Sequence, residues 1–286
     1  MLARDVYVTR TGEIWDAQGR MLRDNRRVLR PECLAAMADA PVFEEAVDAL
    51  DGTGNFFHWM AETLPSIAFA AAPGAPCLPV LLREDTPAFV AASLDLASPA
   101  LAARVRRVGE AAFVRRLHIG PRNTANLRFG GAYDHLLGPV IAHADRLPPA
   151  AEDATDLLYI SRRDSPIRPM SNEAELEGVL AGLGFRVLLL GALPLAEQVR
   201  AVRRARVIVA PHGAGLAHLL FARPGTRVLE LLSIRDGVHP LAFCMARLSR
   251  LRGHRHAIWI QRGHPTDKAW TARIPEVLAI VREVVG

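Results

Sequence analysis

The stretch Val207-Ile208-Val209-Ala210-Pro211-His212-Gly213-Ala214-Gly215-Leu216 decides how the carboxyl half is read. Four apolar, mostly β-branched residues predict a short buried strand, and Gly-Ala-Gly breaks it into a turn that opens a helix over Leu216 to Phe221. The first N–H groups of a helix have no partner within it, and small side chains let an anionic group come close to them. Gly213, Ala214 and Gly215 are therefore expected to form a phosphate seat with His212 on its rim. The spacing is neither the G-x-G-x-x-G dinucleotide fingerprint nor the Walker G-K-S/T loop, which argues against dehydrogenase and P-loop readings.

Around this stretch, strands and helices alternate: strand Leu157 to Ser161, helix Glu173 to Leu183, strand Phe185 to Leu190, helix Pro194 to Arg204, strand Val207 to Ala210. Asn172, three residues before Glu175, fits a helix N-cap, and Pro194 fits a first helical turn. Strands Arg227 to Leu232 and His256 to Ile260 and a helix Ile274 to Val284 complete the pattern. Short connections between alternating elements predict a doubly wound sheet whose ligand lies beyond the carboxyl ends of the strands. Ser161, Arg162, His212 and Glu230 are expected there. Arg162 and Arg168 either clamp an anion with their planar donors or pair with Asp164 and Glu173 at the surface. His254 and His256 read as alternation within a strand, and His239 follows the Glu230 strand as a further candidate.

In the amino half, Val6 to Thr9 and Glu13 to Trp15 predict a hairpin serving as a lid or edge. Leu78 to Leu82, Pro87 to Leu96, Val114 to Ile119 and Tyr133 to Ala144 predict strand, helix, strand and helix, with a loop at Asn123 to Gly131, and hence an α/β domain with a parallel sheet. The segment from Asn55 to Pro65 predicts a helix on which His58 and Glu62, four apart, share one face. They form a candidate acid/base pair; the alternatives are a core histidine and a surface carboxylate. The aperiodic run 145–153 predicts a linker, with one domain over 1–150 and a second over 151–286.

Composition agrees with an ordinary globular chain: 286 residues, 50% hydrophobic, 23% charged, net charge +5. The positive charge is almost all arginine, Lys268 being the only lysine, and no basic run is interleaved with aromatics, so nucleic acid is not an expected partner. Cys33, Cys77 and Cys244 are isolated and odd in number, which predicts reduced thiols and a cytoplasmic setting. Neither a secretory leader nor a membrane-spanning segment is expected, since Pro65, Pro73, Pro76 and Pro79 interrupt the longest uncharged run.

Three motifs carry a resemblance. Tyr159-x-Ser161-Arg162-(x)5-Arg168-(x)3-Asn172-Glu173, followed by His212-Gly213-Ala214-Gly215-Leu216-(x)4-Phe221-(x)2-Pro224-Gly225-Thr226-x-Val228-x-Glu230, resembles glycosyltransferase family 61, and Asn55-Phe56-Phe57-His58-Trp59 with Glu62 and Pro65 is similar to its amino-domain motif. The resemblance implies a GT-B architecture, two Rossmann-like domains facing across a cleft. It implies inverting, metal-independent transfer of sugar from a nucleotide donor, usually a UDP-sugar, to a hydroxyl of a glycan or lipid-linked acceptor, as in bacterial surface-polysaccharide assembly. Protein O-glycosylation and nucleotide-sugar binding without turnover are the rival readings. Glu62 is then the expected base, with His58 its orienting partner or an alternative base. Arg162, Arg168, His212 and the N–H groups after it would meet the diphosphate, and Glu230 the donor ribose. The family commonly has asparagine where His218 stands. The arginine-rich surface would suit peripheral docking at the inner face of a membrane. The sequence contains no Asp-x-Asp and no metal-ligand pattern, so no metal is expected.

Overall fold

The computed structural model describes residues 1–23, 31–121, 131–148, 155–234, 243–262 and 269–286. The chain divides into two compact units, Met1–Pro139 and Val140–Gly286. The division falls within the helix Gly131–Arg146, at Pro139. Much of the predicted linker, and with it Ala150, lies outside the described residues, as do the loop at 123–130 and His239.

In chain order, the strands of the first unit are β1 (Leu2–Thr9), β2 (Ile14–Asp16), β3 (Met21–Arg23), β4 (Val42–Asp48), β5 (Val80–Arg83), β6 (Val105–Val108) and β7 (Ala111–His118). Those of the second unit are β8 (Leu157–Ile160), β9 (Arg186–Leu188), β10 (Val207–Pro211), β11 (Arg227–Ser233) and β12 (Arg255–Gln261).

The second unit is a five-stranded sheet in the order β12-β11-β10-β8-β9, with every pairing parallel. All five residues of β10 are buried, because parallel sheets are covered on both faces and their central strands read as continuous apolar runs. One face packs Tyr159, Val207, Val209, Leu229, Leu231 and Trp259 against residues of the helices Glu173–Gly182 and Ile274–Val285. Alternation places Val228, Glu230 and Leu232 on the opposite face. In space the chain moves from β8 outward to β9, then returns to β10 on the other side. The strand order therefore reverses between β8 and β10, and a crevice opens beyond their carboxyl ends, where such sheets bind ligands.

The expected helix after β10 is a seven-residue 3-10 turn, Ala214–Leu220. Its i→i−3 bonds begin with Leu216 N–H donating to the Gly213 carbonyl at 3.0 Å, which leaves the N–H groups of Gly213, Ala214 and Gly215 outside them. A short 3-10 turn aligns few peptide dipoles, so individual N–H donors are what it offers an anion. Asn172 stands at an N-cap without capping. Its amide instead exchanges two 2.9 Å hydrogen bonds with the backbone of Ala272, tying the last segment of the chain to the β8 loop.

The first unit is a seven-stranded mixed sheet, β3-β2-β1-β7-β4-β5-β6. Strands β4 to β7 are parallel, but β1 runs antiparallel to β7 over seven register pairs. This corrects the parallel-sheet expectation. It also corrects the lid, since the Val6-to-Trp15 hairpin lies inside the sheet and buries Val6, Val8 and Ile14 in its core. The interior strand β4, beside β7, lies outside the predicted elements. Glu44 and Glu45 interrupt its apolar pattern, and only its carboxyl half, Ala46 to Asp48, is buried.

Candidate active site

At the switch point of the second unit, Arg162, Arg168, His212, Leu231, Ser233 and Trp270 line a small, open recess. Arg162 follows the end of β8. Its backbone N–H donates to Glu173 Oε1 at 2.8 Å, and its guanidinium reaches Ser165 Oγ at 3.1 Å. The Glu173 carboxylate also accepts from the Tyr159 hydroxyl at 3.0 Å. It therefore holds the loop backbone rather than the guanidinium. Among the described residues neither Arg162 nor Arg168 makes a side-chain ion pair, so the surface-pairing alternative is not what the fold adopts. Burial and then the neighbouring Arg168 lower the Arg162 pKa. Asp164 and Glu173 act on the Arg162 charge from beyond contact distance, and the two guanidinium groups still place like charges at one recess that an anion would relieve.

The backbone around both arginines is shaped for this approach. A Cβ on Gly213 would stand 2.6 Å from Arg162 Nε, so the absence of a side chain there is what lets the guanidinium lie across the turn. Arg168 has φ +52°, a left-handed conformation that costs a non-glycine residue on the order of 1 kcal/mol or more. Trp270 holds it there. The Trp270 indole N–H donates to the Arg168 carbonyl at 3.2 Å, and its backbone bonds to Pro169 and Ser171 at 3.0 and 2.7 Å.

His212 follows β10, its own N–H donating to the Leu231 carbonyl at 2.9 Å. Its ring Nδ1 donates to Glu230 Oε1, which leaves Nε2 as the ring nitrogen available to the recess. Glu230 is not at a strand end, because β11 runs on to Ser233 and the side chain is fully buried. Its second oxygen accepts from His256 Nε2 at 2.9 Å. Burial raises the Glu230 carboxyl, but the hydrogen bonds from His212 and His256 outweigh it, and its pKa falls below the ordinary value. With both oxygens held by imidazoles, Glu230 faces protein rather than a ribose. His218 is buried in the 3-10 turn, with Nδ1 on the Gly215 carbonyl at 2.8 Å and Nε2 on Gln198 Oε1 at 2.6 Å, and burial lowers its pKa to about 4. Both contacts fasten it to the turn and to the helix Leu195–Arg204.

In the first unit, Asn55 caps a helix, its side-chain oxygen accepting from the N–H groups of Phe57 at 2.9 Å and His58 at 3.3 Å. The helix then opens into a π turn, Trp59–Thr63, before Leu64–Ile67. Such turns insert one residue into the ladder and occur often at functional sites. Here it contains Glu62. His58 Nδ1 and Glu62 Oε2 are 2.9 Å apart, with the imidazole 51% exposed and the carboxylate side chain 11% exposed. A buried carboxylate thus backs an outward imidazole whose Nε2 is open. The loop before the helix crowds against it. Gly52 has φ +73°, and a Cβ there would lie 2.6 Å from Thr63 Oγ1 and 3.2 Å from His58 Cβ.

The fold is thus of the α/β class, with a cationic recess at the switch point of the second unit's parallel sheet and a histidine–carboxylate pair in the first unit, residue types that anion binding and proton transfer use. The particular family follows from comparison. The model of the Glycosyltransferase 61 family matches residues 56–229, more than half of the chain, and the chain belongs to that family. It is similar to a rice protein, Beta-1,2-xylosyltransferase RCN11 of Oryza sativa subsp. japonica, at 32% identity over 106 residues, 31% of this chain and 20% of that protein. It is also similar to the Drosophila melanogaster EGF domain-specific O-linked N-acetylglucosamine transferase, at 32% over 117 residues, 39% of this chain and 21% of that protein. A Beta-1,2-xylosyltransferase of Arabidopsis thaliana is 35% identical over 78 residues, 27% of this chain and 14% of its own length. The matches thus span about a fifth or less of these curated relatives. Among the described residues, no helix is long and apolar enough to cross a membrane.

Proposed function

We propose that the chain is a glycosyltransferase that moves a sugar from a nucleotide donor, a UDP-sugar, to a hydroxyl of a glycan or lipid-linked acceptor, with inversion and without a metal ion. The observation that carries this reading is the pair of guanidinium groups, Arg162 and Arg168, unpaired with any described carboxylate and lining one recess with His212. In this reading they receive the diphosphate together with the N–H groups of Gly213 to Gly215, in place where charge develops as the glycosidic bond breaks. An inverting displacement needs one base to take the acceptor proton. The exposed His58 imidazole fills that role, with Glu62 orienting it, since only the histidine presents a free nitrogen outward. The roles expected for Glu62 and His58 are in this way exchanged. The GT-B arrangement is part of the proposal: acceptor chemistry in the first unit, donor chemistry in the second.

The names of the relatives direct the choice of donors, with UDP-xylose and UDP-N-acetylglucosamine first in a panel. Nucleotide release would be followed with and without hydroxyl acceptors, and again with EDTA. Release that survives chelation, with inverted anomeric configuration in the product, is the expected result. Release abolished by EDTA and restored by a divalent ion would overturn the metal-free mechanism. Thermal stabilisation by uridine nucleotides without turnover on any acceptor would make the chain a binding module. A role in surface-polysaccharide assembly at the cytoplasmic face of a membrane is the setting that this donor and acceptor chemistry fits best.

A further inference from the structure

His256 and Ser249 read from sequence as ordinary elements of a strand and a surface segment, yet they end a buried chain that begins at the recess. His212 Nδ1 donates to Glu230 Oε1, His256 Nε2 meets Glu230 Oε2 at 2.9 Å, and His256 Nδ1 meets Ser249 Oγ at 2.7 Å. The side chains of Glu230 and His256 are 0% and 6% exposed, and Ser249 is fully buried. Four elements supply the chain: the end of β10, the middle of β11, the start of β12 and the helix Cys244–Leu251. In the ladder, Val228 pairs with His256 and Glu230 with Ile258, so Glu230 and His256 share one face of the sheet, two residues out of step. Cys244, from the same helix as Ser249, is close enough to Glu230 for the carboxylate to help raise its pKa, after burial, to about 11, so it stays a neutral thiol there.

We propose that His256, with Ser249 behind it, is a positioning residue that fixes the Glu230 carboxylate and through it the His212 ring, so that Nε2 of His212 is aimed at the donor diphosphate. The inference rests on the donor-binding reading given above. The proton inventory of the chain accounts for every group in it. The Ser249 hydroxyl donates to His256 Nδ1, which leaves the His256 proton on Nε2 for Glu230. Glu230 is then an acceptor on both oxygens, and His212 keeps a proton on Nδ1 whatever Nε2 holds. Without the His256 donor, Glu230 Oε2 would be a buried oxygen with no partner among these groups, free to rotate the carboxylate and release the His212 ring.

The test separates donor donation from bulk. His256→Gln carries an amide N–H at a reach similar to Nε2, whereas His256→Phe fills the space and donates nothing. UDP-glucose, whose diphosphate does not titrate near neutrality, is titrated calorimetrically into the full chain, and ring nitrogens are followed by histidine NMR without ligand. His256→Phe is expected to weaken UDP-glucose binding about tenfold and to move the His212 ring signals, while His256→Gln stays within about threefold of wild type. Ser249→Ala, which leaves the core volume nearly unchanged, is expected to shift the His256 tautomer signals alone or with a smaller loss of affinity. Should the His256→Phe protein fail to fold, the Ser249→Ala signals decide, and unchanged His256 signals in that variant would overturn the proposal. Unchanged His212 signals and unchanged affinity in folded His256→Phe would overturn it as well. Failure of the donor reading shows differently: wild-type protein that binds no uridine nucleotide, with the NMR coupling from His256 to His212 intact.

Discussion

Each unit contains a histidine bound through Nδ1 to a carboxylate, and the two pairs are built in opposite ways. His58 and Glu62 are four residues apart on one helix, and the imidazole is half exposed. His212 and Glu230 are eighteen residues apart on adjacent parallel strands, the carboxylate is fully buried, and a second imidazole holds its other oxygen. An open imidazole with a partner behind it can take a proton from something arriving out of solvent. A ring held at one nitrogen by a twice-bonded buried carboxylate can only present its other nitrogen in a fixed direction. The first pair is suited to proton transfer and the second to orientation, although a bare list of contacts makes them look alike.

Exchanging the two pairs' consequences is the strongest way to break that comparison. His58→Gln is expected to lower kcat roughly 10²–10⁴-fold, the usual contribution of a positioned base, and to leave donor affinity unchanged. Steady-state kinetics beside calorimetric titration with the donor check both halves. An equal loss of donor affinity would place His58 in the donor site instead. Glu230→Leu should act on stability first, because it leaves two buried imidazoles without their acceptor. A loss of about 2–6 kcal/mol is expected for two N–H donors left without their acceptor, at about 1–3 kcal/mol each, against less than about 1 kcal/mol for Glu62→Leu beside its half-exposed histidine. Urea denaturation, with probes in both units, measures the contrast, and equal losses would dissolve it.

The same contrast explains what could be read from the sequence. The β10 strand and its small-residue turn, the Asn55 cap and the His58–Glu62 spacing are local patterns, each contained in a few consecutive residues. The second pair's third member lies twenty-six residues from Glu230, and Trp270 supports Arg168 from 102 residues away. Only the parallel register of β11 and β12 brings His256 onto the Glu230 face, and the His-x-His pattern does not announce it, since His254 precedes β12 instead of alternating with His256 inside it. The π turn at Trp59 was invisible for another reason, since one inserted residue leaves the apolar pattern nearly unchanged. Strand β6 was missed because Arg106 and Arg107 occupy an edge where burial imposes no alternation. The hairpin was found, but its place inside the sheet was not, because β1 pairs with β7 across more than a hundred residues.

A smaller effect sharpens the donor side. Gly213→Ala places a methyl 2.6 Å from Arg162 Nε in a backbone conformation that any residue adopts, so the backbone accepts the change and the guanidinium must move. About a tenfold loss of UDP-glucose affinity is expected, near the value of one charge-assisted hydrogen bond, with kcat under saturating donor nearly unchanged. Pairing this variant with Arg162→Ala in a double-mutant cycle tests the cause, because the two losses should then be far from additive. Additive losses would mean that Gly213 acts through its own N–H rather than through the arginine.

The mildest prediction uses pH to address the second unit alone. Burial lowers the pKa of His218 and of His254 to about 4, from an ordinary value of 6.5. Between these values the unfolded chain binds protons at both sites and the folded chain does not, so stability is complete above pH 6.5 and drains as pH falls toward 4. Carboxylates act in a different window. Glu230 and, in the first unit, Asp85, whose hydrogen bond from Arg83 helps lower it to about 2, contribute stability above their ordinary values near 4 that is lost only below them. From pH 6.5 to 4.5, hydrogen-exchange protection should therefore fall for amides of β10 and β11 and hold for those of β4 and β7, once intrinsic exchange rates are divided out. His218→Asn should flatten the slope in the second unit, because the amide does not titrate. A slope shared by both units, or one that survives removal of both His218 and His254, would place the acid-sensitive group elsewhere and leave the buried histidines without this role.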